Sequence, residues 1–167
     1  MKPFVAILMG SDSDLPAMEE AMTVLNRLGV NFEARIRSAH RTPAATHEYV
    51  REAEARGCAV FIAAAGMAAH LAGIVASLTV KPVIGVPMQG GALNGIDALL
   101  STAQMPGGIP VACTAIGKAG AKNAAYLAAQ ILALHDLKLH QSLESDRKAS
   151  VRDILAKDEA LIAKLGA

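Results

Sequence analysis

Short apolar runs alternate with helical patterns along this chain, and that alternation restricts what it can fold into. Phe4–Met9 (FVAILM) and residues 31–36, 59–64, 82–86 and 110–115 read as strands. The third run is continuous and apolar, as strands buried on both faces are. Between the runs lie helical spacings. Met18, Ala21, Met22, Leu25 and Leu28 share one face, with Asp14 as N-cap, Pro16 in the first turn and Gly29 as the stop. Thr46, Tyr49, Val50 and Ala53 form a second stripe, opened by Thr42 and Pro43 and closed by Gly57. A small-residue helix is expected from Gly66 to about Leu78, a short one over 96–102 and an alanine-rich one over 119–134. Strand–helix alternation of this kind predicts an α/β fold, a doubly wound parallel sheet with helices on both faces. Ligands of such sheets bind outside the carboxyl ends of the strands. The loops 10–14, 37–42, 65–71 and 87–95 are therefore where function is expected.

Residues 135–167 differ in kind. They are charged, and Val151, Ile154, Leu155, Leu161, Ile162 and Leu165 recur as one narrow stripe. The expected organisation is a catalytic sheet domain over 1–134 and a helical tail over 135–167 that packs on the domain or on a neighbouring subunit.

From Gly57 to Gly117 the only charged residues are Lys81 and Asp97. Charge normally coats helices that face water, so a homo-oligomer covering this half is expected. The formal net charge of +1 gives no electrostatic footprint for nucleic acid or an acidic membrane. Cys58 and Cys113 sit in apolar stretches and read as buried free thiols. No apolar run is long enough to span a bilayer, and the first ten residues read as a strand rather than an export signal. A cytoplasmic protein is expected.

The loop Gly10-Ser11-Asp12-Ser13-Asp14 joins a strand to a helix. Its glycine admits a ligand to the backbone, and the helix start and serine hydroxyls offer donors to an anion. Asp12 and Asp14 suit a bare phosphate poorly; a carboxylate here either caps the helix or accepts from ribose hydroxyls. The loop Ser38-Ala39-His40-Arg41-Thr42-Pro43 sets an imidazole beside a guanidinium. Arginine suits forked recognition of phosphate, and histidine gives and takes protons near neutrality. The loop Ala65-Gly66-Met67-Ala68-Ala69-His70-Leu71 surrounds His70 with small residues, consistent with a flat ring or a second helix close by. No metal-ligand spacing links the five histidines to a carboxylate. Neither the Walker-type phosphate loop nor the dinucleotide fingerprint is present, so no cofactor is expected.

Together, MGSDSD, SAHRTP, AGMAAHL, VIGVP, LLSTAQMPGGIPV and AIGKAGAKNAA resemble the aminoimidazole ribonucleotide carboxylase family, in its bacterial-type mutase form. The likeness runs from about Val5 to Leu134. It implies a three-layer flavodoxin-like fold, an octamer with active sites where subunits meet, and no metal, ATP or biotin. It implies conversion of N5-carboxyaminoimidazole ribonucleotide to 4-carboxy-5-aminoimidazole ribonucleotide in de novo purine biosynthesis, by loss and recapture of carbon dioxide. His40 matches the family's proton-transferring histidine and His70 a second histidine of the pocket. Ser11, Asp14 and Arg41 match its ligand contacts, with Ser13 and Ser38 in the same loops. Gly10, Gly66, Ala69 and Leu71 complete the expected substrate-binding set.

Two other functions are compatible with the same fold class. A direct carboxylase of the animal type would carry Lys-Gly in place of Arg41-Thr42 and Ser-Asn in place of Ala69-His70. A non-catalytic nucleotide-binding module would be expected to have lost His40 or Arg41. The chain departs from the mutase pattern at Met67, where Gly is usual, at Ala72, where Pro is usual, and at Ala98, often Ser. The first two flank His70 and bear on the shape of its loop.

Overall fold

In the computed structural model, which describes residues 2–166, five parallel strands form one sheet. They are β1 (Phe4–Met9), β2 (Phe32–Ile36), β3 (Cys58–Ala65), β4 (Val83–Pro87) and β5 (Ala112–Cys113), in the order β2-β1-β3-β4-β5. The helices are α1 (Leu15–Arg27), α2 (Pro43–Ala55), α3 (Leu71–Leu78), α4 (Ile96–Ala103), α5 (Lys118–Ala133) and α6 (Leu137–Leu165). The expected doubly wound, three-layer arrangement is the one observed.

Alternation along the central strands sends side chains into two cores. Val5, Ile7 and Met9 of β1, with Val60, Ile62 and Ala64 of β3, meet α1 and α5. Ala6, Leu8, Phe61 and Ala63 point the other way, to α2 and α3. Ile7 pairs with Ile62, and Ile62 with Ile84, so fully buried isoleucines run across three strands. Burying each contributes about 2 kcal/mol of apolar transfer. On α5, Ala121, Ala124, Ala125, Ala128 and Ala129 are all buried, and their small size lets the helix lie close to α1 and the sheet. The apolar faces expected for α1 and α2 are the buried ones, apart from Met22, which is half-buried while Val24 is buried in addition.

Four local expectations need correction. The third helix begins at Leu71, not Gly66. Met67 has φ 55°, which no right-handed helix contains, and the Ala69 amide donates to Ser101 Oγ at 3.1 Å instead of bonding along a helix. The last strand holds only two residues, because it pairs with β4 alone and Pro110 has no N–H to donate. Neither Asp14 nor Thr42 caps the helix it precedes with its side chain; both fold back into loops of the site. Cys58 is buried as expected, whereas Cys113, in the short edge strand, is half-buried.

The tail is a single helix of 29 residues, about 43 Å long. Only its first part docks on the chain. Leu139 is buried and Leu143 packs on the core, while Asp146 meets Arg27 Nε at 3.0 Å and accepts from the Tyr126 hydroxyl at 2.5 Å. From Arg147 to Gly166 every residue is exposed, including all six of the expected apolar stripe. Among the described residues, no helix is long and apolar enough to cross a membrane.

Candidate active site

The strand order reverses between β1 and β3: from β1 the chain steps out to β2 on one side, and from β3 to β4 on the other. At this switch point the loops after the two strands separate and leave a crevice. An open cleft of about 520 Å³ lies there, lined by residues from the loops after β1, β2, β3 and β4.

The loop after β1 is held by a reciprocal pair of bonds. Ser11 N donates to Asp14 Oδ2 at 3.0 Å, and Ser13 N donates to Ser11 Oγ at 3.3 Å, closing a single 3-10 turn over Asp12–Asp14. Asp14 is thereby buried, and burial pushes its carboxyl above the usual range while the Ser11 and Gly10 amides pull the other way. Asp12 is exposed, and the Ser11 hydroxyl beside it, 2.9 Å away, holds its carboxyl low.

The loop after β2 braces itself. Thr42 Oγ1 accepts from Ser38 N at 3.0 Å and donates to the Ser38 carbonyl at 3.1 Å, while Arg41 N donates to Ser38 Oγ at 3.1 Å. Thr46, fully buried in the first turn of α2, donates to the Thr42 carbonyl at 2.9 Å. One nitrogen of the Arg41 guanidinium, Nη2, donates to the Gly10 carbonyl at 3.2 Å and so ties this loop to the first. The other end of the fork remains available for an anion.

The third loop brings the second imidazole. His40 Nε2 and His70 Nδ1 lie 2.6 Å apart, with the rings edge-on at 74°. At that separation one proton fits between the two nitrogens, so one ring donates and the other accepts. The protonation of His40 Nε2 is therefore tied to the tautomer of His70.

Of the residues expected at the site, Gly10, Ser11, Ser13, Asp14, Ser38, His40, Arg41, Gly66, His70 and Leu71 all line the cleft. Ala69 does not: its side chain is buried and its amide is bonded to Ser101, which turns it away from the opening. The loop after β4 was among the four expected to meet a ligand, but none of its residues was in the expected binding set, and Met88, Gln89, Gly90 and Gly91 form one wall. Its glycines and its place after a central strand were the available signal; no titratable side chain marked it.

Comparison with known proteins fits this geometry. The AIR carboxylase family model matches residues 4–153, nearly the whole chain. The chain belongs to the AIR carboxylase family. An N5-carboxyaminoimidazole ribonucleotide mutase of Bacillus subtilis is 51% identical over 162 residues, covering 97% of this chain and 100% of that protein. The protein of that name from Escherichia coli is 52% identical over 151 residues, 90% of this chain and 89% of its own. Among solved structures, Treponema denticola PurE superposes with a TM-score of 0.87 at 32% identity, covering 96% of this chain and 99% of that one.

Proposed function

We propose that this chain is an isomerase of purine biosynthesis that converts N5-carboxyaminoimidazole ribonucleotide to 4-carboxy-5-aminoimidazole ribonucleotide. The observation that carries the reading is the His40–His70 contact of 2.6 Å in a cleft that also holds Arg41, in a chain about half identical to named mutases over most of its length.

The substrate's N-carboxylate is a carbamate. When the exocyclic nitrogen takes a proton from His40, the N–C bond breaks with its electron pair on nitrogen, and carbon dioxide forms. The aminoimidazole is enamine-like, so ring carbon 4 attacks the carbon dioxide while it is still held nearby. His40 then removes the proton from carbon 4 and the ring regains aromaticity. One imidazole serves as acid first and base second, and the proton count closes over the cycle. His70 positions His40 and sets its tautomer.

Arg41 and the Ser11, Ser13 and Ser38 hydroxyls bind the phosphate, and Asp14 accepts from ribose hydroxyls. Gly10, Gly66 and Leu71 give the ligand close access to the backbone. The catalytic domain spans 1–134, and the tail, 135–167, reaches a neighbouring copy in a homo-octamer. Support for assembly comes from the exposed apolar stripe of α6 and from Leu93, Ile96 and Leu100 standing exposed in the charge-poor half.

The deciding assay is incubation with the N5-carboxy substrate. Conversion without ATP or added bicarbonate is expected; a strict bicarbonate requirement would instead indicate a direct carboxylase, and binding without turnover a nucleotide-binding module. His40→Asn should retain near-normal nucleotide binding with turnover collapsed.

A further inference from the structure

Only two non-glycine residues among those described have positive φ, Met67 at 55° and Asn94 at 50°. Asparagine tolerates that region through local hydrogen bonds of its side chain. Methionine has no such group, and the conformation costs it on the order of 1–2 kcal/mol. The core does not demand it: Met67 is 61% exposed. A glycine, usual here in the mutases this chain resembles, would take the same backbone shape without strain.

What Met67 does approach is the opposite wall of the cleft. Met67 lines the cleft with His70, three residues on. Its Cγ lies so close to Gly91 that a Cβ placed there would be 3.4 Å away. Gly91 belongs to the loop after β4 and itself has φ 63°. The Met67 side chain thus leaves the loop that carries His70 with its Cγ beside the glycine loop facing it.

We propose that Met67 is an apolar gate that retains carbon dioxide between the two halves of the reaction, an inference that rests on the mutase reading above. Carbon dioxide is neutral and a weak hydrogen-bond partner, so Arg41 and the serines hold it poorly. It is kept by a wall rather than a ligand. Methionine suits that wall because it is apolar and unbranched, closing over a gap and yielding when the nucleotide enters. The N–C bond breaks and the carbon 4–carboxyl bond forms with the same carbon atom, provided the wall holds for the life of the intermediate.

The test uses substrate labelled with carbon-13 in its N5-carboxyl group, in unlabelled bicarbonate buffer with carbonic anhydrase. The label in the product and the yield of decarboxylated aminoimidazole ribonucleotide are read by mass spectrometry, against an enzyme-free control. The unaltered chain is expected to keep most of the label. Met67→Gly should lose about ten-fold more per turnover, with thermal stability equal or higher because strain is relieved. Met67→Ala, which keeps the strained backbone but lacks the thioether, should leak as well, and Met67→Leu should stay close to the unaltered chain. Equal label retention in Met67→Gly and the unaltered chain overturns the gate, as does an unaltered chain whose product carries only buffer carbon. Failure of the unaltered chain to convert the substrate at all sinks the mutase reading first, and is seen before any variant is compared.

Discussion

His40 and His70 stand 30 residues apart in sequence and 2.6 Å apart at their ring nitrogens. The contact joins the loops after β2 and β3, which are not neighbours in the sheet but both border β1. If His70 positions His40, His70→Asn should lower kcat by about 10²-fold and alter the pH profile, with a smaller effect on KM. His70→Gln, which can still reach with a polar atom, should recover part of the rate. Steady-state kinetics across pH reads both; an unchanged profile would make His70 a bystander.

Arg41 offers a planar fork, one branch of which is already used to hold Gly10. Lysine keeps the charge but cannot make both contacts. Arg41→Lys should therefore raise KM about ten- to a hundred-fold, and isothermal titration with a ribonucleotide monophosphate should show the loss directly. Equal affinity would place the phosphate elsewhere.

Two carboxylates give opposite pH signatures. Glu33 is held below its usual range by the Arg56 guanidinium, which donates to it at 2.5 and 3.2 Å. Its contribution to stability is present above the ordinary carboxylate range and is lost as pH falls through the depressed folded value. Asp14, raised by burial, works the other way: its contribution is fullest below the ordinary value and declines as pH rises through the raised one. Thermal melts should show Glu33→Gln closing the gap to the native chain at acid pH, and added salt should shrink the gap, since the pair is half-exposed. Asp14→Asn, which still offers an acceptor to Ser11, should gain on the native chain as pH rises from the acid limit. The reverse trend in either variant would overturn these assignments.

Gly120, in the first turn of α5, has no room for a side chain: a Cβ there would run into the Ala115 carbonyl. Gly120→Ala should destabilise by about 1–3 kcal/mol, measured by denaturant unfolding. Gly10→Ala is the contrast. Its nearest neighbours would be 3.7 Å away, an ordinary contact, so the fold should be unaffected while nucleotide affinity falls, because the new methyl occupies the cleft wall.

Among the described residues, deletion of 147–167 removes only exposed ones. Circular dichroism should show the sheet domain intact, and light scattering should show a smaller assembly. An unchanged assembly would mean that the tail plays no part in it.

Periodicity alone determined the α/β class, the two buried helix faces and the loops where a ligand would sit, because alternation of two and of three to four residues follows directly from strand and helix geometry. Motif chemistry marked His40, Arg41, His70 and the first loop, since those residue types act through groups visible in the sequence. Tertiary structure alone decided what those groups face. The coupling of the two imidazoles and the Arg41–Gly10 tie depend on which strands adjoin, a long-range choice that leaves no local trace. The late start of α3 has the same origin. Residues 66–70 have helix-forming composition, but a bond from Ala69 to Ser101, 32 positions away, and the positive φ of Met67 hold them as a loop. Local propensity there yields to contacts that exist only once the sheet has closed around the cleft.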